Sequence, residues 1–159
     1  MKNLAEDVAR AFVVAINRRD VDGLAELMTP GHRFVDSLGS VVEGREKVRA
    51  GWVGYFRMVP DYSISVDESF CGDMPGAEDP LTPPSLLSGF AQEDGSFVVV
   101  MLGTARGTLA PDGELKPENR WQTPVALRAL IVGGKVAEWR AYADNEPIRR
   151  LMRDASKTG

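Results

Sequence analysis

The sequence predicts a single α+β domain, and three observations carry that reading. Amphipathic helical patterns come first and alternating strand patterns later, an order that segregates helices from strands. The 159 residues are 43% hydrophobic and 26% charged, the proportions of one soluble globular domain that buries roughly two thirds of its extended surface. No internal repeat or low-complexity run breaks the chain into smaller units.

Each element has a local reason. Leu4, Val8, Ala11, Phe12, Ala15 and Ile16 recur at helical spacing and give a first helix with one apolar stripe. Asp20 is a good N-cap for a shorter second helix, which Pro30-Gly31 is expected to end. His32 to Val42 reads as two short strands about a turn at Gly39, and "GREKVRAGWVGYFRMV" as a third helix that stops before Pro60. "YSISVDESF" alternates as a strand should. Residues 72–96 are too rich in Pro and Gly for a core element and read as an insertion, with a mobile flap near a pocket as the expectation. Phe97 to Leu109, Arg120 to Val132 and Lys135 to Tyr142 complete an antiparallel sheet, the last two joined by a tight turn at Gly133-Gly134. Asp144 or Asn145 caps a short C-terminal helix whose Pro147 suits a first turn.

Composition narrows the function. The single Cys71 has no partner for an internal disulfide and reads as a small hydrophobe rather than a nucleophile. A net charge of -4 with scattered Lys and Arg leaves no basic stripe, so nucleic acid is not an expected partner. The opening "MKNLAEDVARAF" carries acids from its first turn and lacks a long apolar core, so neither a secretory leader nor a membrane span is expected, and the protein reads as cytoplasmic.

Specific motifs add a resemblance. "FVVAINRRDVDGLAELMTPGHRFVDSLGS", with its Asp-x-x-Gly turn, followed by "GREKV", lines up with the first half of bacterial ketosteroid isomerases. "GGKVAEWRAYAD" is similar to the closing hairpin of limonene-type epoxide hydrolases and many SnoaL-like proteins. Together these motifs resemble the cone-shaped superfamily of nuclear transport factor 2 (the NTF2-like or cystatin-like fold), ketosteroid isomerase and the SnoaL-like polyketide cyclases, over most of the chain except residues 72–96. The resemblance implies three helices on a strongly bent antiparallel sheet, an enclosed pocket for a small apolar molecule and a homodimer through the outer sheet face.

In the isomerase pattern the Asp at the position of Asp36 is the general base. Strand alternation puts Phe34, Asp36 and Leu38 on one face, so that if Phe34 faces the core Asp36 does too. An apolar surrounding makes a carboxylate more basic, which suits proton transfer near neutrality. The alternative is that Asp36 accepts turn hydrogen bonds near Ser37 and Gly39. The rest of the isomerase machinery differs: Phe12 stands where the family has a Tyr, and Leu127 at or next to its protonated Asp. The epoxide hydrolase set maps onto Leu102, Thr104 and Ala141 and is absent.

Other residues are candidate pocket walls. Along "RWQTPVALRALIV" alternation groups Trp121, Thr123, Val125, Leu127 and Ala129 on one face, where the Trp121 indole is either core or a donor replacing the lost Tyr. Trp139 points inward with Ala141 and Ala143, while Trp52 and Phe56, four apart on the third helix, cover the mouth. The substrate-binding candidates are thus Phe12, Phe34, Trp52, Phe56, Thr104, Trp121, Leu127 and Trp139. His32, the only histidine, shares parity with Asp36 and is either a second acid/base group or a loop residue after Pro30-Gly31. The expectation is a cofactor-independent and metal-independent isomerase, cyclase or dehydratase using Asp36 on an apolar carbonyl or polyketide-like substrate. A non-catalytic ligand-binding protein and a hydrolase in which Asp36 activates water are the alternatives.

Overall fold

The computed structural model describes residues 2–73 and 96–157. The apolar stripe expected from Leu4 to Ile16 becomes α1 (Lys2–Arg18), with Phe12 and Ile16 fully buried. Asp20 caps α2 (Val21–Leu27) by accepting the Gly23 N–H at 2.9 Å. The chain then enters β1 (Met28–Val35) directly, three positions before the anticipated stop at Pro30-Gly31 is complete. The short strand β2 (Val41–Glu43) follows the Gly39 turn, and α3 (Arg45–Met58) ends before Pro60. Strands β3 (Ser63–Asp73), β4 (Phe97–Thr108), β5 (Arg120–Val132) and β6 (Lys135–Ala143) and the helix α4 (Glu146–Lys157) complete the described chain. Gly133 and Gly134 have φ of 56° and 75°, the left-handed pair that a tight hairpin between β5 and β6 requires. Most of the insertion read at 72–96 lies outside the described residues; Gly72 and Asp73 extend β3.

The six strands form one sheet in the order β2-β1-β6-β5-β4-β3. It is mixed rather than wholly antiparallel, because β1 and β6 run parallel while every other neighbour pair is antiparallel. Alternation gives the sheet two distinct faces. Val99, Met101, Leu127, Ala129 and Trp139 point to the inner face, where they meet Phe12 and Ile16 of α1 and Val48 and Trp52 of α3 in one continuous core.

Helix α1 runs along the outer edge of β3. Asn17 uses its side-chain amide as a strand would, accepting the Ile64 N–H at 2.8 Å and donating to the Ile64 carbonyl at 2.9 Å. Arg10 donates to Ser69 Oγ at 2.7 Å, and Lys2 lies 3.3 Å from the Asp73 carboxylate.

Candidate functional site

Strand β1 lays out the inner face as a column from deep to rim. At the deep end is His32, fully buried, its ring stacked 5.9 Å from Phe12, which in turn packs 4.6 Å from Trp139. The Pro30-Gly31 pair favoured a loop here, and the structure corrects this. Between the Met28↔Val136 and Arg33↔Glu138 pairings β1 carries more residues than β6, so the ladder is interrupted. His32 Nδ1, 2.7 Å from the Val136 carbonyl oxygen, supplies the donor that the interrupted ladder withholds. Burial pushes the imidazole down to about 4, outweighing the upward effect of that backbone bond.

Phe34, the Cα partner of Trp139, lies midway along the column and meets Trp52 at 5.8 Å. Trp52 stacks on Phe56 at 5.3 Å and approaches Tyr62 at 6.4 Å, and Tyr62 lies 5.9 Å from Trp121. Tyr55 closes the group edge-on to Tyr62 at 5.0 Å. Burial pushes the Tyr62 hydroxyl up to about 12 and raises that of Tyr55 further, so both remain protonated donors. Trp121 is buried and its Nε1–H has no partner among the described residues. Its cross-strand neighbour is Gly107, where a Cβ would press into Val59 and lie 3.2 Å from the indole Cζ2. A glycine at this place leaves room for Val59 and the indole against β4.

At the rim the strand has ended and Asp36 opens the turn. Its Oδ1 accepts the N–H groups of Leu38 and Ser40, both at 2.9 Å. Leu38, expected to share the inward face, is 66% exposed. Asp36 is therefore a half-buried turn residue at the exposed end of the column, not a carboxylate enclosed in the core. Beside it, Ser37 accepts a hydrogen bond from Asn145, and Thr123 Oγ1 donates to the Asp144 carbonyl at 3.1 Å. These bonds bring the start of α4 to the rim, where Ile148 and Leu151 pack against the core.

The candidates Phe12, Phe34, Trp52, Phe56, Trp121, Leu127 and Trp139 thus gather on the inner side. Thr104 does not. It pairs with Ser65 and Pro124 on the outer face, because Met101 and Ala105 hold the inward parity of β4. Sequence reasoning missed Tyr55 and Tyr62, although Tyr55 follows Trp52 at the helical interval of three and Tyr62 immediately precedes β3. It also missed Glu138. Alternation sends this residue outward, yet Arg33 and Arg128 cover it, with Nη1 atoms 3.4 and 3.1 Å from its two carboxylate oxygens.

Comparison with known proteins agrees with this architecture. Residues 9–78 match the SnoaL-like domain family. No curated protein matches the chain. A candidate SnoaL-like polyketide cyclase from Shewanella denitrificans OS-217 superposes with a TM-score of 0.66 at 14% identity, covering 94% of this chain and 96% of that one. AclR, a candidate hydroxylase from Streptomyces galilaeus, gives 0.65 at 18% identity over 96% and 98%. An uncharacterised cystatin-fold protein from Novosphingobium aromaticivorans gives 0.59 at 23% identity over 89% and 97%. At these identities the likeness establishes the shared α+β, NTF2-like fold. No helix among the described residues is long and apolar enough to cross a membrane.

Proposed function

We propose that this protein is a small-molecule enzyme of the SnoaL-like and ketosteroid isomerase-like kind, in which Asp36 moves a proton on an apolar carbonyl or polyketide-like compound. The observation that carries the reading is the posture of Asp36. Two backbone N–H groups fix Oδ1, while Oδ2 has no hydrogen-bond partner among the described residues, at the exposed end of a column of aromatic side chains. A carboxylate held by one oxygen is pre-positioned to use the other.

In the first step Oδ2 takes a proton from a carbon next to the carbonyl, and the C–H electron pair moves into the carbonyl to give an enolate. Returning the proton to another carbon is isomerisation. Attack of the enolate carbon on a second carbonyl, whose alkoxide takes the proton back from Asp36, is ring closure, and expulsion of a β-hydroxyl that takes that proton and leaves as water is dehydration. All three need a donor where negative charge develops. Phe12 and Leu127 have no polar atom to offer, whereas the unpartnered Trp121 Nε1–H and the protonated Tyr62 hydroxyl do.

A substrate-independent test is solvent hydrogen exchange into 2-tetralone, a bicyclic ketone with acidic C–H bonds, followed by NMR in deuterium oxide. The protein is expected to accelerate exchange. Asp36→Asn, which keeps an oxygen for the Leu38 and Ser40 N–H groups, is expected to cut the acceleration by about two to four orders of magnitude with little change in melting temperature. Equal exchange by the Asn variant would return Asp36 to a turn residue and favour the ligand-binding reading.

A further inference from the structure

We infer that His32 Nε2 is the acceptor for a hydroxyl group of the bound molecule, so that the substrate carries an alcohol or phenol at the end that enters first. This rests on the proposed use of the inner face as a small-molecule site, and specifies what that site takes.

The tautomer follows from the neighbours. A carbonyl oxygen can only accept, so the Val136 contact at 2.7 Å requires the proton on Nδ1 and leaves Nε2 with a bare lone pair. The low basicity imposed by burial keeps the ring neutral near pH 7. Nε2 has no hydrogen-bond partner among the described residues although His32 is fully buried. Two other buried side-chain atoms share that condition. Arg33 Nε lies on the outer face, 3.3 Å from the Glu43 carboxylate, so an ion pair serves it. Trp121 Nε1 is a donor, the opposite polarity to Nε2. His32 Nε2 is thus the unmatched acceptor that is fully buried on the inner face among the described residues, whereas the free Asp36 Oδ2 lies on a half-buried turn residue.

The structural task of His32 does not account for this. Completing the interrupted ladder at Val136 needs one donor, and the second nitrogen brings only the penalty of an unpaired polar atom in an aromatic surrounding. That penalty is relieved by a donor that arrives with an apolar body. A hydroxyl meets both demands. A carboxylate would face the lone pair with its own, and an ammonium would be desolvated beside Phe12, with no counter-charge paired to the ring among the described residues.

Position adds a length. His32, Phe34 and Asp36 follow one another at alternate positions, so the acceptor and the proposed base stand four residues apart, about 13 Å along an extended strand. The molecule that touches both is a rod of two or three rings lying along Phe34, hydroxyl inward and acidic C–H at the rim.

The test compares 2-naphthol with its methyl ether, 2-methoxynaphthalene, on the intact protein by calorimetry and by the long-range proton–nitrogen spectrum of His32. The naphthol is expected to bind about tenfold tighter than the ether, the worth of one hydrogen bond. It should also shift the Nε2 resonance toward the hydrogen-bonded range, whereas the ether should leave it unmoved. His32→Phe should erase the preference, and Asp36→Asn should retain it while losing exchange activity, which separates this inference from the proposed base. Equal affinity for the two probes, no binding of either, or an Nε2 resonance already hydrogen-bonded in the free protein and unmoved by naphthol would each overturn it. The last result would mean that a resident water satisfies the atom. The spectrum of the wild-type protein decides between these outcomes even if the Phe variant fails to fold.

Discussion

A single imidazole held neutral inside the core makes folding sensitive to acid. Burial moves His32 from its ordinary 6.5 to about 4, so the unfolded chain binds the proton more tightly than the folded one. Its contribution to stability is complete above about pH 6.5 and is lost as pH falls toward 4, amounting to about 3 kcal/mol at the bottom of that window. Equilibrium unfolding from pH 7.5 to 4 should therefore show a steeper decline for the wild type than for His32→Phe. The Phe variant starts lower, because it loses the Val136 bond, but lacks this slope; parallel curves would show that the ring is not buried neutral. Individual residues were unevenly legible. Trp121 and Trp139 were placed by alternation alone, since a strand's period fixes its faces. His32 resisted because Pro30-Gly31 reads as a terminator, and only the β6 partner reveals that the chain bulges and continues. Thr104 was misplaced because the parity of β4, set by the inward Met101 and Ala105, was not read from the sequence.

At the level of elements, two glycines in β4 show how backbone space shapes the site. A Cβ at Gly103 would run into the Ser65 carbonyl oxygen, and one at Gly107 into Val59 and the Trp121 ring. Gly107→Ala is expected to cost about 1–3 kcal/mol by overpacking and to change Trp121 fluorescence as the indole is displaced. Gly103→Ala should destabilise at least as much without altering that emission, because its obstacle is backbone. An unchanged indole signal in the Gly107 variant would show that Val59 alone yields. Helices and strand ends were readable from caps and periodicity, as at Asp20, Pro60 and Gly133-Gly134. Strand direction was not. Alternation is blind to polarity, so nothing within β1 or β6 announces that they lie parallel.

For the whole molecule, the outer sheet face invites self-association. Phe70, Leu102 and Tyr142 are 55, 37 and 49% exposed there, around Arg128 and an Arg140 guanidinium lying 5.0 Å over the Tyr142 ring. A two-fold dimer through this face is expected to sediment as such at micromolar concentration, and Leu102→Asp should shift it toward monomer without lowering the melting temperature of the subunit. A wild-type monomer at that concentration would remove the proposal. The fold as a whole was legible because order, spacing and turn chemistry agreed across the chain; how the faces are used depends on what meets them, which one chain's pattern does not encode. The placement of α1 has a further consequence. An eleven-residue border strand such as β3 would ordinarily offer its free amides and carbonyls to any other extended chain, yet the helix lies along it from Lys2 to Asn17. The opposite border, β2, is only three residues long. The protein therefore carries its own guard against templated fibre growth, and removing residues 2–10 should turn a clear solution into one that scatters light and binds amyloid dyes, well before the remaining core melts.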